Sequence, residues 1–147
     1  AREGNREYAR PFGVAPDGVR IETSGKGDGK DKIAELYEAI PVFHRDYAQG
    51  TNVAATIELQ AGGAWVAAAT TYSDKVTAIR ITRFNGAVMV KLDRARRVKL
   101  SPAETGPGFL TGGVSRNILI DLLESGDKPA AVNDAKTVAY RIEAAGR

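Results

Sequence analysis

The sequence predicts an all-β domain, a β-sandwich of about eight antiparallel strands, with a jelly-roll as one form of it. Three observations carry the prediction. Apolar and polar residues alternate with a period of two in several separate segments. Two hairpin signals, Gly62-Gly63 and Asn85-Gly86, join such segments. No strand is followed by a helical pattern, so a parallel βα architecture has no support.

The segment 1–17 mixes charges with Gly and two prolines, Pro11 and Pro16, and reads as a leader or linker preceding a domain over 18–147. Val19 and Ile21 alternate with Arg20 and Glu22, a half-buried strand, and Ser24–Asp31 is a polar loop of turn residues. Ile33–Phe43 fits two periods. Ile33, Leu36, Tyr37 and Ile40 have helical spacing, yet Leu36, Glu38 and Ile40 also alternate as a strand. The β patterning on both sides favours the strand. Val53, Ala55, Ile57 and Leu59 give the clearest alternation, and Gly62-Gly63 turns the chain into Trp65–Thr71. Val76–Phe84 is rich in β-branched residues, which fit a pleated surface. The chain then returns through Ala87–Leu92, with Arg97–Leu100 as an extension or a further strand. Ser101–Gly113 is a long Pro- and Gly-bearing loop, Asn117–Glu124 is an apolar run, Ser125–Asn133 is turn-like, and Val138, Tyr140 and Ile142 mark a closing strand.

Composition removes whole classes of chemistry. The chain has no cysteine, which excludes disulfides, thiolate zinc sites, iron–sulfur clusters and cysteine nucleophiles. One histidine, His44, cannot supply a multi-histidine metal site. No Gly-x-Ser-x-Gly elbow offers it a serine partner, although Ser73 and Ser115 are serines that a fold could bring near it. The cluster Gly25–Lys30 lacks the spacing and the hydroxyl residue of a phosphate loop, since Asp31 follows Lys30. No cofactor is called for. No apolar run reaches the ~20 residues of a membrane helix. A net charge of +3 is too small to indicate nucleic-acid binding. The first residues, Ala1-Arg2-Glu3, have neither Met nor an apolar core, as expected after signal-peptide removal or for a domain of a longer protein.

Paired carboxylates are the acid–base option left, with Glu58, Asp93, Asp121 and Glu124 as members, but eighteen acidic residues make chance pairs inevitable. Asp28, Asp31, Asp127 and Asp134 sit in loops without an EF-hand spacing. The basic residues are more informative. Lys91, Arg94, Arg96, Arg97 and Lys99 crowd one stretch, and Arg80 and Arg83 lie on the strand expected to pair with it. Gathered on one face they would attract an anionic partner; as a solvated face they would protect a sheet edge. Trp65 and Tyr72, with Tyr37 and Tyr47, are the rings available to stack on sugars, and Trp65 is equally suited to fill the core.

Two stretches resemble a known group: Ile40-Pro41-Val42-Phe43-His44-Arg45-Asp46, and Arg94–Pro102 followed by Ser115–Leu123. They are similar to the β-sandwich portions of large exported bacterial proteins, including the carboxy-terminal sheets of heparinase-like polysaccharide lyases. The similarity covers less than half the chain and contains no signature motif. Catalytic residues of those lyases lie mainly in a separate helical domain, so nothing catalytic carries over. The resemblance implies an exported, carbohydrate-associated module. Together with the basic stretch and the available rings it leads to the expectation of a secreted, non-catalytic module that binds polysaccharide, with acidic glycans as one target, through Arg80, Arg83, Lys91, Arg94, Arg96, Arg97, Lys99, Trp65 and Tyr72. A structural module that packs on a neighbouring domain or on copies of itself is the alternative, and a carboxylate-dependent glycan-active enzyme the second.

Overall fold

In the computed structural model the described residues are 2–3, 6–9, 12–15, 18–26, 32–33, 35–43, 45–46, 53–83, 86–102, 104–105, 114–126, 128–131 and 136–145. His44, Tyr47, Asn85 and the four loop aspartates Asp28, Asp31, Asp127 and Asp134 fall outside them. The described residues contain strands and turns and no helix.

In chain order the strands are β1 (Arg2–Glu3), β2 (Arg6–Ala9), β3 (Phe12–Ala15), β4 (Gly18–Lys26), β5 (Lys32–Ile33), β6 (Tyr37–Phe43), β7 (Arg45–Asp46) and β8 (Val53–Ala54). They continue with β9 (Thr56–Ala61), β10 (Ala64–Ala67), β11 (Ser73–Arg83), β12 (Gly86–Leu100), β13 (Glu104–Thr105), β14 (Val114–Asp121), β15 (Ala130–Ala131) and β16 (Lys136–Ala145). Apart from the small pairs β5–β15 and β7–β8, they form one open antiparallel sheet. Within 1–17, β2 and β3 both pair with β4. The expected loop at Ser24 begins later than predicted, because β4 runs on to Lys26 against Lys136–Val138 of β16.

The ambiguous segment around Ile40 is a strand, paired along its length with β14. The hairpin at Gly62-Gly63 is confirmed. Ala61 pairs with Ala64, and both glycines have positive φ, +59° and +87°, the twist that a two-residue turn needs to match its strands. The hairpin at Asn85-Gly86 forms with a shifted register. Arg83 pairs with Gly86, so Gly86 opens the returning strand instead of completing the turn.

Of the two readings of Arg97–Leu100, extension or further strand, the extension holds: β12 runs unbroken from Gly86 to Leu100. It is the strand on which the sheet forks. Over Ala87–Leu92 its neighbour is β16; over Val98–Leu100 the same edge takes β14. β11 follows it on the other edge across both parts, at the cost of register shifts between Ser73 and Val76 and between Val76 and Ala78. The second shift places Val76 opposite Ala61 and Ala78 opposite Gln60, so Thr77 is an extra residue. Such a bulge inverts the alternation. Val76 and Ile79, three apart, are therefore both fully buried.

One core results. Leu59 and Ile79 from the β9–β11 side, Ile118 and Ile120 from β14, Val90 and Val98 from β12 and Val138 from β16 are 0–1% exposed. Each is worth roughly 1.5–3 kcal/mol over the same side chain left in water. The residues alternating with them on β9, β11 and β12 form the outer face described next.

Candidate ligand-binding face

The basic residues do not share one face. Register separates them into three settings. In the first, adjacent rows cross the sheet: Ala67, Glu58, Arg80, Met89 and Glu143 in one, Trp65, Gln60, Ala78, Lys91 and Arg141 in the next. Arg80 donates from Nε and Nη2 to Oε1 of Glu58 at 3.2 and 3.1 Å. Its guanidinium carbon lies 4.2 Å from the centre of the Trp65 ring. Trp65 is thus an outer-face residue, partly exposed, and not the core filler it could have been. Lys91 is exposed and paired with Glu143 at 2.7 Å. Arg83 has the opposite parity to Arg80 and looks toward the core side, where it lines a cavity with Ile81 and Val88.

The second setting is the fork in β12. Arg96 stands opposite Val76 and its side chain is 2% exposed. Its Nη2 donates to Oδ2 of Asp93 at 3.1 Å and to the carbonyl of Thr137 at 2.5 Å, and Nη1 reaches Oε1 of Glu124 at 2.5 Å. Arg94, largely exposed, binds the same Glu124 oxygen. The guanidinium therefore ties β12 to the start of β16 and to the turn after β14, at the point where β12 exchanges one neighbour for the other. A planar fork with five donors suits three acceptors in different directions; an ammonium does not. Arg96 was expected at a binding surface, but burial withdraws it from ligand. Of the four carboxylates considered for acid–base work, Asp93 and Glu124 do converge, on this one guanidinium.

The third setting lies beyond the fork. Arg97 and Lys99 occupy the outer face, 4.3 and 4.5 Å from the Tyr72 ring centre. Lys99 pairs with Glu35 at 2.7 Å, and Arg97 with Asp74 at 3.3 Å and Asp121 at 3.7 Å. Asp121 is buried and accepts from the backbone amides of Leu123 and Glu124. Loss of water around its carboxylate raises its pKa, against the lowering effect of those amides and of Arg97. Burial also raises the Tyr72 hydroxyl to about 12, with the Asp121 and Glu35 charges adding to it. Tyr72 stays neutral and its ring stays electron-rich beneath two cations.

Sequence reasoning missed the buried pair Glu38–Tyr140, joined at 3.0 Å across 102 residues of chain. The position of Glu38 between Leu36 and Ile40 in the alternating pattern was the available signal, because it put a carboxylate on the core face. Among the described residues no group of three or more His, Asp or Glu side chains could hold a metal ion, and no helix is long and apolar enough to cross a membrane.

Compared with known proteins, the chain matches no family model, no curated protein and no solved structure. The outer face is therefore read from its own geometry.

Proposed function

We propose that this chain is a non-catalytic β-sandwich module, exported, that binds polysaccharide on the outer face around Trp65. The observation that carries the reading is Trp65 on the outer face with the Arg80 guanidinium 4.2 Å from its ring centre, and Glu58, Gln60 and Lys91 in the same and adjacent rows. An aromatic ring set among hydrogen-bonding side chains on a rigid strand offers a sugar both stacking and polar contacts. The resemblance to sheets of polysaccharide lyases points the same way, and two arms of sheet sharing one core are the arrangement a sandwich would have. Charge pairing refines the ligand. Arg80, Lys91, Arg94, Arg96, Arg97 and Lys99 each meet a carboxylate, which favours neutral or weakly acidic glycans over densely charged ones.

Trp65 is the chain's one tryptophan, so its emission reports the face directly. Titration with neutral and acidic polysaccharides is expected to shift that emission saturably, and affinity electrophoresis to show retardation that Trp65→Ala abolishes. No shift and no retardation with any polysaccharide, or retardation unchanged in Trp65→Ala, overturns the reading. A self-assembling module is the second reading, favoured by one observation. β10 ends the sheet, Val66 on it is 40% exposed, and residues 61–73 contain no charge and no proline to discourage edge pairing. Concentration-dependent light scattering distinguishes it.

A further inference from the structure

β10 ends the sheet on its side, with β9 as its one neighbour among the described strands. The hairpin decides which of its backbone groups face outward. Ala64 stands opposite Ala61 across the two-residue turn, Val66 opposite Leu59, and the amide of Ala68 donates to the carbonyl of Ile57 at 3.0 Å. Hydrogen-bonded and non-hydrogen-bonded pairs alternate along an antiparallel ladder. Ala64, Val66 and Ala68 therefore turn their N–H and C=O toward β9, and Trp65 and Ala67 turn theirs away from the sheet. By the same parity Ala69 and Gly63 come next, but neither extends the edge. The Ala69 carbonyl accepts from the amide of Leu100 at 2.7 Å, and Gly63, at φ +87°, belongs to the turn.

A second copy of the chain complements this edge in one register. Around a two-fold axis through Val66, Trp65 faces the partner's Ala67 and Ala67 faces the partner's Trp65, and each pair exchanges both hydrogen bonds. Centred on Trp65, the pairing would set Ala67 against the partner's Gly63 in its turn. Centred on Ala67, it would need the Ala69 carbonyl that Leu100 already holds. Only the register centred on Val66 uses every outward group of β10. The side chains agree with it. Val66, 40% exposed, meets its own copy at the closest spacing of an antiparallel ladder, about 4.5 Å between Cα atoms. Residues 61–73 bring no charge to repel the copy, and the small Ala67 leaves room beside the partner's indole.

We infer that this chain pairs with a second copy through β10 in this register, and that the pair presents a polysaccharide platform with two tryptophans. The platform rests on the reading of Trp65 as the sugar contact. The two indoles stand on a diagonal of the shared outer face, roughly 7–8 Å apart at their Cα atoms and within reach of one another. Each keeps its Arg80 guanidinium 4.2 Å from the ring centre. The row Arg80, Glu58, Ala67 continues through the partner's Trp65, so one continuous face can hold adjoining units of a sugar chain. The pairing is isologous and consumes both copies of β10, so assembly through this edge stops at two. An edge of four residues is far smaller than a permanent dimer interface. The pair is therefore concentration-dependent, and a sugar chain spanning both rings tightens it by the factor that pairing tightens sugar binding.

Sedimentation velocity of the full chain, up to about 1 mM, should show a monomer–dimer equilibrium with no larger species. Neighbouring indoles couple, so an exciton couplet in far-UV circular dichroism should grow with the dimer fraction. Ala67→Pro removes an outward N–H that β9 does not use, which an edge strand tolerates. It should keep the urea midpoint, stay monomeric and lose the couplet. Val66→Lys sets like charges opposite one another at the axis and should also stay monomeric. Both variants retain Trp65, so polysaccharide should still shift its emission, with affinity weakened about tenfold or more. A chain that is monomeric at every concentration, a dimer that persists in both variants, or a dimer without the couplet overturns the inference; a saturable emission shift in that chain would leave the polysaccharide reading standing. A dimer with the couplet and no response to any polysaccharide supports the pairing and overturns the polysaccharide reading alone.

Discussion

Replacing Arg96 by alanine tests whether this residue holds the fold or faces a ligand. The side chain is 2% exposed, while its partners Asp93 and Glu124 are 33% and 38% exposed. Removing one member of a fully buried ion pair costs about 3–5 kcal/mol, because the other charge is stranded. Here both carboxylates can regain water, which lowers that figure. The carbonyl of Thr137 loses its guanidinium donor, and the aliphatic stem leaves space beside Val76 and Val98. A loss of about 2–3 kcal/mol follows, equivalent to roughly 6–9 °C in Tm for a chain of this size. Urea unfolding followed by far-UV circular dichroism measures it as a fall in midpoint at constant m. Arg96→Lys should recover less than half, because an ammonium cannot span three acceptors in different directions. Lys91→Ala is the control. Its exposed pair with Glu143 is worth no more than about 0.5 kcal/mol. If Arg96→Ala loses no more stability than Lys91→Ala, the fork is not held by this guanidinium and the side chain is free for other work.

Four further outcomes follow from the same packing and charge pairing. Ile120→Ala, at a side chain with no exposure, should cost about 2–5 kcal/mol in urea unfolding, whereas Val66→Ala on the open edge should cost less than ~0.5. Gly63→Ala should destabilise by about 1 kcal/mol through its φ of +87° alone, since open space surrounds a Cβ there. Asp121 has a folded pKa above its unfolded one, so the folded state binds the proton more readily. Stability relative to Asp121→Asn should therefore rise as pH falls from above its raised value toward 3.8; a difference independent of pH would show that burial does not tune this carboxyl. Ultraviolet difference titration of wild type against Tyr72→Phe should place the Tyr72 step near 12, and a step at 10 would mean that the ring is freely solvated.

The all-β class was legible because strand periodicity is a local property. Each alternating segment around Val19, Ile57, Ile79 and Ile142 declared its own buried side, and Gly62-Gly63 declared its own turn. The same rule failed where the ladder did. Counting by twos from Arg80 cannot anticipate that Thr77 is an extra residue, nor that β12 continues through Asp93–Arg97 while its neighbour changes from β16 to β14. Both are decided by strands far away in the chain. Hence seven basic residues that look like one patch in sequence fall into four environments: Arg80 and Lys91 on the outer face, Arg83 on the core side, Arg94 and Arg96 at the fork, Arg97 and Lys99 against Tyr72.

By itself, the sequence determined that the chain is built from antiparallel strands, that cysteine chemistry is excluded, and that Trp65 is its one indole ring. The tertiary structure alone decided that this ring lies on the outer face beneath Arg80, and that Arg96 is structural. It also decided that Arg83 lines an apolar cavity on the core side. The physical reason is one of range. Alternation, turn chemistry and composition act over a few residues, whereas burial and charge pairing depend on which distant strand becomes the neighbour. Arg96 shows this most directly: alternation puts it on the side of Val98 and Leu100, but Arg94 has the same parity, and only the approach of Thr137 makes Arg96 the buried one.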